Sequence, residues 1–301
     1  MRKHERGPER RNITRRSKNE TMPLRLLLAL LGLLALQTLL ATHAFAASAG
    51  ASPPRPANAT AGTRPAATGL RVPVLVYHRF GPSKVDAMTV RTSTFQAQLR
   101  TLREDGWTVV ALRDLIAALD DPRRTLPAKS VAITVDDGHL SVYTQMYPSV
   151  RESGIPITLF IYPSAISNAS YAMTWQQLDV LRRSRQFVVQ SHAYWHPNFA
   201  QERKRMTAAQ FQSFLDRQLA DARRTLQRQG AGEVEMLAWP FGIQDDALGR
   251  AARAAGYTAA FGIQRRPVRR GDARFALPRY IVTDEDTGPR FLQLLNGTPA
   301  P

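Results

Sequence analysis

Two adjacent carboxylates, Asp136-Asp137, close the apolar run Val131-Ala132-Ile133-Thr134-Val135 and are followed at once by Gly138. The β-branched Val131, Ile133 and Val135 predict a strand. Asp-Asp-Gly predicts the turn at its end. A buried strand that delivers carboxylates at its C-terminal tip is how α/β barrels present catalytic groups. An ordinary strand-to-helix turn, with an Asp capping the next helix, would be written with the same residues. Further along, His192 and His196 stand four apart, separated by Ala193-Tyr194-Trp195. If the backbone turns there, two imidazoles can meet one cation. With one carboxylate they make the His₂-carboxylate set of a hydrolytic zinc site, which leaves a position for water. Alone, the pair could equally be two surface histidines. Its coupling to a separate Asp-Asp-Gly strand tip is what gives it weight.

The rest of the chain must bring these tips together. Strand patterns are expected at Val74–Tyr77, Thr108–Ala111, Val131–Val135, Ile157–Ile161, Phe187–Ser191, Val234–Trp239, Thr258–Phe261 and Ala276–Val282. Helical patterns lie between them. Ser93-Thr94-Phe95-Gln96 reads as a capping box for a helix with the apolar face Phe95, Leu99 and Leu102. Thr207 can cap a long segment bearing Phe211, Phe214, Leu215, Leu219, Ala222 and Leu226, which Gly230 and Gly232 end. Further helices are expected over 114–119, 141–151, 175–183 and 245–255. Strands interleaved with helices, without a sequence repeat, predict an α/β fold: a single (β/α) barrel of about seven or eight strands, with a doubly wound open sheet as the alternative. Successive strand ends then carry His78, Asp136 with Asp137, His192 with His196, and Trp239-Pro240-Phe241-Gly242, which together form one rim. His139, just past Gly138, is expected to face solvent or to play a supporting part.

Composition narrows the chemistry. The 301 residues contain no cysteine, which excludes disulfides, thiolate metal sites, cysteine nucleophiles and lipid anchoring on Cys. Any metal must be held by His and carboxylates. The formal charge is +17, from 41 basic and 24 acidic side chains, and suits nucleic acid, an anionic cell surface or simply an arginine-rich composition. Leu26–Ala41 is a Leu/Ala run preceded by Arg25 and followed by Ala44-Phe45-Ala46, the pattern of a secretory signal peptide, with a retained anchor as the alternative. Residues 1–21 are long and polar for the start of such a signal, so Met22 is a candidate initiator. Residues 47–70 are rich in Ala, Pro, Thr, Ser and Gly and read as a linker. The folded domain is expected over 71–301. Export places the protein in the periplasm or at the cell surface and argues against nucleic acid. The clusters Arg182-Arg183, Arg203–Arg205 and Arg265–Arg274 are expected to be solvated surface or to favour an anionic envelope.

Thr134-Val135-Asp136-Asp137-Gly138 resembles the TFDDG motif of the polysaccharide deacetylases, family four of the carbohydrate esterases with the NodB homology domain. Ser191-His192-Ala193-Tyr194-Trp195-His196-Pro197 resembles their SHTxxHP motif, and Tyr147-Pro148 with Gly154–Phe160 is similar to the run between the two. The resemblance covers roughly residues 72–283. It implies Asp136 as general base and Asp137, His192 and His196 as ligands of a divalent metal, zinc first, with Co²⁺, Ni²⁺ or Fe²⁺ as alternatives. There are departures. Ala238 stands where the family's RxPY segment has Arg, and no histidine follows His196 to give the late Leu-x-His acid. Val76-Tyr77-His78-Arg79-Phe80 and the Phe95 to Trp107 stretch are instead similar to the poly-β-1,6-N-acetylglucosamine deacetylases of biofilm systems, whose motif order is permuted. That likeness implies His78 as general acid and makes Arg279, in Leu277-Pro278-Arg279-Tyr280, a candidate to orient Asp136; a plain surface arginine is the other reading.

The implied reaction is metal-dependent hydrolysis of N-acetyl groups on an N-acetylglucosamine polymer, releasing acetate. Chitin-like or peptidoglycan glycan is the alternative substrate. Tyr194, Trp195, Trp239 and Phe241 could stack on sugar faces or simply pack the rim. A glycoside hydrolase barrel with paired carboxylates is the rival enzyme class. Adjacent Asp136 and Asp137 point to opposite sides of a strand, which suits a base plus a ligand better than two carboxylates flanking one bond. The expected partners are therefore an N-acetylated polysaccharide and, through the basic surface, the cell envelope.

Overall fold

The structure is a computed structural model that describes residues 69–297. The expected signal segment, the candidate start at Met22 and residues 47–68 of the linker lie outside the described residues. Twelve strands are described: β1 (Arg71–Val72), β2 (Val74–Tyr77), β3 (Arg79–Gly81), β4 (Thr89–Arg91), β5 (Thr108–Val109), β6 (Ser130–Asp137), β7 (Ile157–Ile161), β8 (Phe187–Ser191), β9 (Met236–Ala238), β10 (Ala259–Phe261), β11 (Val268–Arg269) and β12 (Tyr280–Ile281). The main sheet runs in the order β10-β9-β8-β7-β6-β2-β12, all parallel, and β5 pairs with the start of β6. Leu277, just ahead of β12, forms a parallel bridge with Phe261 of β10. Its N–H donates to the Ala260 carbonyl at 2.9 Å and its carbonyl accepts from Gly262 N–H at 2.8 Å. One segment thus links both edges of the curled sheet. The α/β barrel expectation holds in this distorted, seven-stranded form.

β6 lies inside the sheet, with β2 on one side and β7 on the other. Its side chains alternate as a strand requires. Val131, Ile133 and Val135 belong to the larger core cluster, with helix residues such as Phe95, Leu102 and Leu178. Ala132 belongs to the smaller cluster, with Phe160, Ala238 and Phe261. Thr134 and Asp136 share the parity of Ala132, so the same alternation that builds the core turns Asp136 into the barrel.

Most strand and helix expectations are met within a few residues. The helix Trp175–Arg183 is capped by Thr174 with Gln177, and Ala208–Asp216 by Thr207 with Gln210, each a complete capping box. The capping box expected at Ser93–Gln96 does not form. The helix there starts two residues earlier, at Thr92, and Arg91 caps it without a side-chain bond. A distant carboxylate replaces it: Asp284 accepts from the Arg91 N–H at 2.9 Å and from its Nε at 2.8 Å. Two short helices, Phe199–Lys204 and Gly288–Asn296, go beyond the expected set. The long segment after Thr207 is helical throughout but passes through a π-helical turn at Arg217–Asp221.

Candidate active site

The strand β6 continues through both carboxylates before it turns, so Asp136 and Asp137 are strand residues rather than the turn itself. The turn is tight. Gly138 N–H donates to the Asp136 carbonyl at 3.0 Å, and Asp137 between them has φ 74°. This is a γ-turn centred on a non-glycine residue, a strained backbone of the kind that clusters at functional sites. Gly138 itself has φ 80°, and a Cβ there would lie 3.0 Å from the Cδ1 atoms of Ile161 and Ile166. Glycine is required at that position for both reasons.

Asp136 is held by a buried arginine. Arg279 is 0% exposed, and its Nη1 and Nη2 donate to the two Asp136 oxygens at 2.8 and 2.7 Å. Nη1 also reaches Thr134 Oγ1 at 3.2 Å, Nε donates to the Gly262 carbonyl at 3.0 Å, and the guanidinium carbon lies 5.2 Å from the Phe160 ring centre. This is a two-pronged charge-assisted pair, and Arg279 is no surface arginine. Burial alone would raise the Asp136 pKa, but the Arg279 charge, with His192, brings it down to about 2.

The consequence for stability has a definite sign. The folded carboxyl sits below its ordinary value of about 3.9, so the pair contributes above that value and loses its contribution as the pH falls toward about 2. Arg279→Met should lower stability by about 3–5 kcal/mol at neutral pH, because it leaves a buried charge unpaired. Denaturant titrations should show the gap between wild type and variant closing as the pH drops from neutral toward about 2. A gap independent of pH would mean that packing of the long side chain, not the ion pair, is what matters.

His192 and His196 meet through an unusual loop. Ala193 and His196 both have positive φ, 61° and 63°, so the backbone doubles back and sets the two rings 4.7 Å apart, edge to face. His192 Nδ1 lies 2.8 Å from the Ala238 carbonyl, which can only accept, so this nitrogen carries the proton and Nε2 keeps its lone pair. Nε2 is 3.6 Å from Asp137 Oδ1, and His196 Nε2 is 3.8 Å from the same oxygen. Burial, against the pull of Asp136, brings the His192 pKa down to about 3, and burial also lowers that of His196. Both rings are therefore neutral donors at neutral pH. Asp137 Oδ1 is buried without a hydrogen-bond partner. One ligand atom from each of Asp137, His192 and His196 lies within 4.8 Å of the others. Two lone pairs and an orphaned carboxylate oxygen at that separation fit one divalent cation.

A profile of the polysaccharide deacetylase family matches residues 123–260. That stretch is a polysaccharide deacetylase domain. The matched stretch contains Asp136, Asp137, His192 and His196, while His78 and Arg279 lie outside it. The poly-β-1,6-N-acetyl-D-glucosamine N-deacetylase of Staphylococcus aureus (strain MRSA252) is 19% identical over 214 residues, covering 70% of this chain and 73% of that protein. The protein of the same name from Escherichia coli (strain K12) is 29% identical over 126 residues, 37% of this chain but only 18% of its own length. The structure of IcaB from Ammonifex degensii superposes with a TM-score of 0.65 at 25% identity, covering 75% of this chain and 97% of that one. The deacetylase domain thus belongs to a class of enzymes that act on amide bonds of acetylated polysaccharides.

The other residues expected at the site sort unevenly. His78 follows β2 at the level of Asp136 on the neighbouring strand and is half-buried, and its Nδ1 is buried without a partner. Trp239 is a correction. It is 1% exposed, packs edge-on against Phe199 and donates its indole N–H to the Phe275 carbonyl at 2.9 Å, so no ring face is free for sugar. Phe241 is 56% exposed with its ring 4.5 Å from that of His196, and Trp195 is 44% exposed against Phe214. Tyr194 is half-buried. His139 stays outside the Asp-His-His group and pairs through Nδ1 with Ser141 Oγ at 2.8 Å.

Two residues escaped sequence reasoning. Buried Gln218, delivered by the π-helical turn, accepts the N–H groups of both Tyr194 and Trp195 at 3.2 Å and so pins the loop that carries the histidines. The ring of Tyr162 lies 5.5 Å from that of His196 and 6.4 Å from that of His192. The apolar helical period around Gln218 gave no hint that the turn would widen there. Tyr162, directly after β7, ended a strand whose tip carried no ionisable acid or imidazole to draw attention to it.

Proposed function

We propose that this domain removes N-acetyl groups from a poly-β-1,6-N-acetylglucosamine polymer outside the cytoplasm, with Asp137, His192 and His196 holding a divalent metal, most simply zinc. The observation that carries this reading is the placement of His78: it directly follows Tyr77, which pairs with Val135 of β6, and so stands beside the two carboxylates, in a chain with no histidine after His196. The names of the S. aureus and E. coli relatives support the polymer.

When bound, the cation would polarise the acetyl carbonyl and make water nucleophilic near neutral pH. The protein's own groups do the proton work. Asp136, kept ionised by Arg279, accepts the proton of the attacking water. Arg279 also fixes the carboxylate plane, so the base cannot rotate away as charge develops. His78, protonated, donates to the nitrogen as the C–N bond breaks, and acetate and a free amine leave. Trp195 and Phe241 offer exposed ring faces to the sugar. The pairing of Asp136 with Arg279 and the grouping of Asp137 with two histidines give the two carboxylates separate duties, unlike a glycosidase pair flanking one bond.

The deciding experiment is acetate release from β-1,6- and β-1,4-linked N-acetylglucosamine oligomers, with metal stripped and restored. Release from the β-1,6 series that vanishes on chelation and returns with Zn²⁺, Co²⁺, Ni²⁺ or Fe²⁺ is the expected result. A preference for the β-1,4 series would move the substrate to chitin-like or peptidoglycan glycan. Chain cleavage without acetate would end the deacetylase assignment of the substrate.

Export is part of the same proposal. Protein recovered from the periplasm or the cell surface should begin at or near Ala47 when its N-terminus is sequenced. Recovery of Leu26–Ala41 in the exported protein would instead indicate an anchor.

A further inference from the structure

A second aromatic surface adjoins the site, and the reaction does not use it. Tyr171 is 46% exposed, yet its backbone is fixed to the segment that follows Asp137. Its carbonyl accepts from Leu140 N–H at 2.7 Å, Met173 N–H donates to the Gly138 carbonyl at 3.0 Å, and Ala172 forms an antiparallel bridge with His139. The side chain is fixed as well. Its hydroxyl shares a hydrogen bond with that of Tyr162 at 2.8 Å, and its ring lies nearly parallel to His139, at 16° with centroids 6.3 Å apart. Tyr162 in turn lies against both metal-site histidines. Rings therefore succeed one another from exposed Phe241 through His196 and Tyr162 to exposed Tyr171.

Holding an aromatic side chain in one orientation costs rotamer freedom, and here that cost is met without burying the ring. A flat, oriented ring beside a hydrolytic centre suits one kind of ligand in particular. A pyranose presents a face of C–H groups that stacks on an aromatic ring while its hydroxyls stay in water. Substrate reaching the Asp-His-His centre is part of a chain, so neighbouring sugar units must lie across the surface around it.

We propose that Tyr171, backed by His139, is a sugar-stacking subsite that holds a neighbouring unit of the glycan whose acetyl group is being removed. The proposal rests on the polysaccharide deacetylase reading of the site. The link between the Tyr162 and Tyr171 hydroxyls keeps this platform in register with His192 and His196. A single stacking contact is worth about tenfold in affinity.

The test compares metal-loaded wild type, Tyr171→Ala, Tyr171→Phe and Val180→Ala, the last removing an exposed apolar side chain from the helix Trp175–Arg183. Acetate release is measured on N-acetylglucosamine dimer and hexamer, and hexamer binding by calorimetry. Tyr171→Ala should lower the hexamer-to-dimer ratio of kcat/KM by about tenfold, mainly through KM, and weaken hexamer binding in parallel. Tyr171→Phe, which keeps the ring, should retain most of the length preference, and Val180→Ala all of it. Equal losses on dimer and hexamer would make Tyr171 a support for the metal site and overturn the subsite. Unchanged hexamer binding in Tyr171→Ala would overturn it too. The calorimetric comparison still decides the subsite if the wild type binds hexamer without releasing acetate, an outcome that would count against the proposed reaction alone.

Discussion

Replacing His78 by Ala should leave the metal in place and reduce turnover by about 10²–10⁴-fold, the range for loss of a group that transfers a proton in the transition state. An amine expelled from a tetrahedral centre is a poor leaving group until it is protonated, so the step without an acid must wait for solvent. The same variant should lose the basic limb of the pH–rate profile, because an acid works only while protonated and its removal takes that requirement away. Asp136→Asn should fall by a similar factor for the opposite reason. The amide keeps the shape of the carboxylate but cannot accept a proton from water, and it forfeits the charge that Arg279 was placed to hold. Metal content of both variants is measured beside kcat. Metal loss in His78→Ala would make His78 a ligand, and turnover near that of wild type would leave the acid to be sought elsewhere.

Local signals account for most of the fold that was legible in the sequence. The strands β7 and β8 and the helix Trp175–Arg183 were bounded correctly because apolar runs, capping residues and breakers all lie within them. The Asp-His-His grouping was legible because each member ends an element that the pattern of apolar residues already defined. Arg279 was harder. Nothing around Leu277–Tyr280 distinguishes a buried arginine from an exposed one; the difference lies in Asp136, far away in sequence, and in the closing of the sheet by the bridge between Phe261 and Leu277. The start of the first long helix failed for the same reason, since Asp284 near the far end of the chain takes the place of a local cap. Trp239 misled because a strand-end position on the rim does not say which way the ring turns. It turns inward and packs edge-on against Phe199, which lies on a helix the sequence did not announce.

Removing any one of the three proposed ligands should abolish metal binding and turnover together. His192→Ala, His196→Ala and Asp137→Ala each leave two protein ligands, and the loss should appear as stoichiometry well below one metal per chain after dialysis. The three should differ in their effect on the apoprotein. His192 is fully buried and donates to the Ala238 carbonyl, so its removal also strands a backbone acceptor and should destabilise the fold by about 1–3 kcal/mol. Asp137 carries the reverse sign. Burial, outweighing the charge of His78 and reinforced by that of Asp136, raises its pKa above the ordinary value, so the ionised carboxylate is a liability to the metal-free fold. Asp137→Asn should therefore give an apoprotein at least as stable as wild type at neutral pH, while still failing to bind metal tightly. In wild type, added metal should raise the midpoint of thermal unfolding, and in the three Ala variants it should not. Full occupancy in His196→Ala would show that the cation does not need the second histidine, and the pair would then be two neighbours on a loop rather than two ligands of one ion.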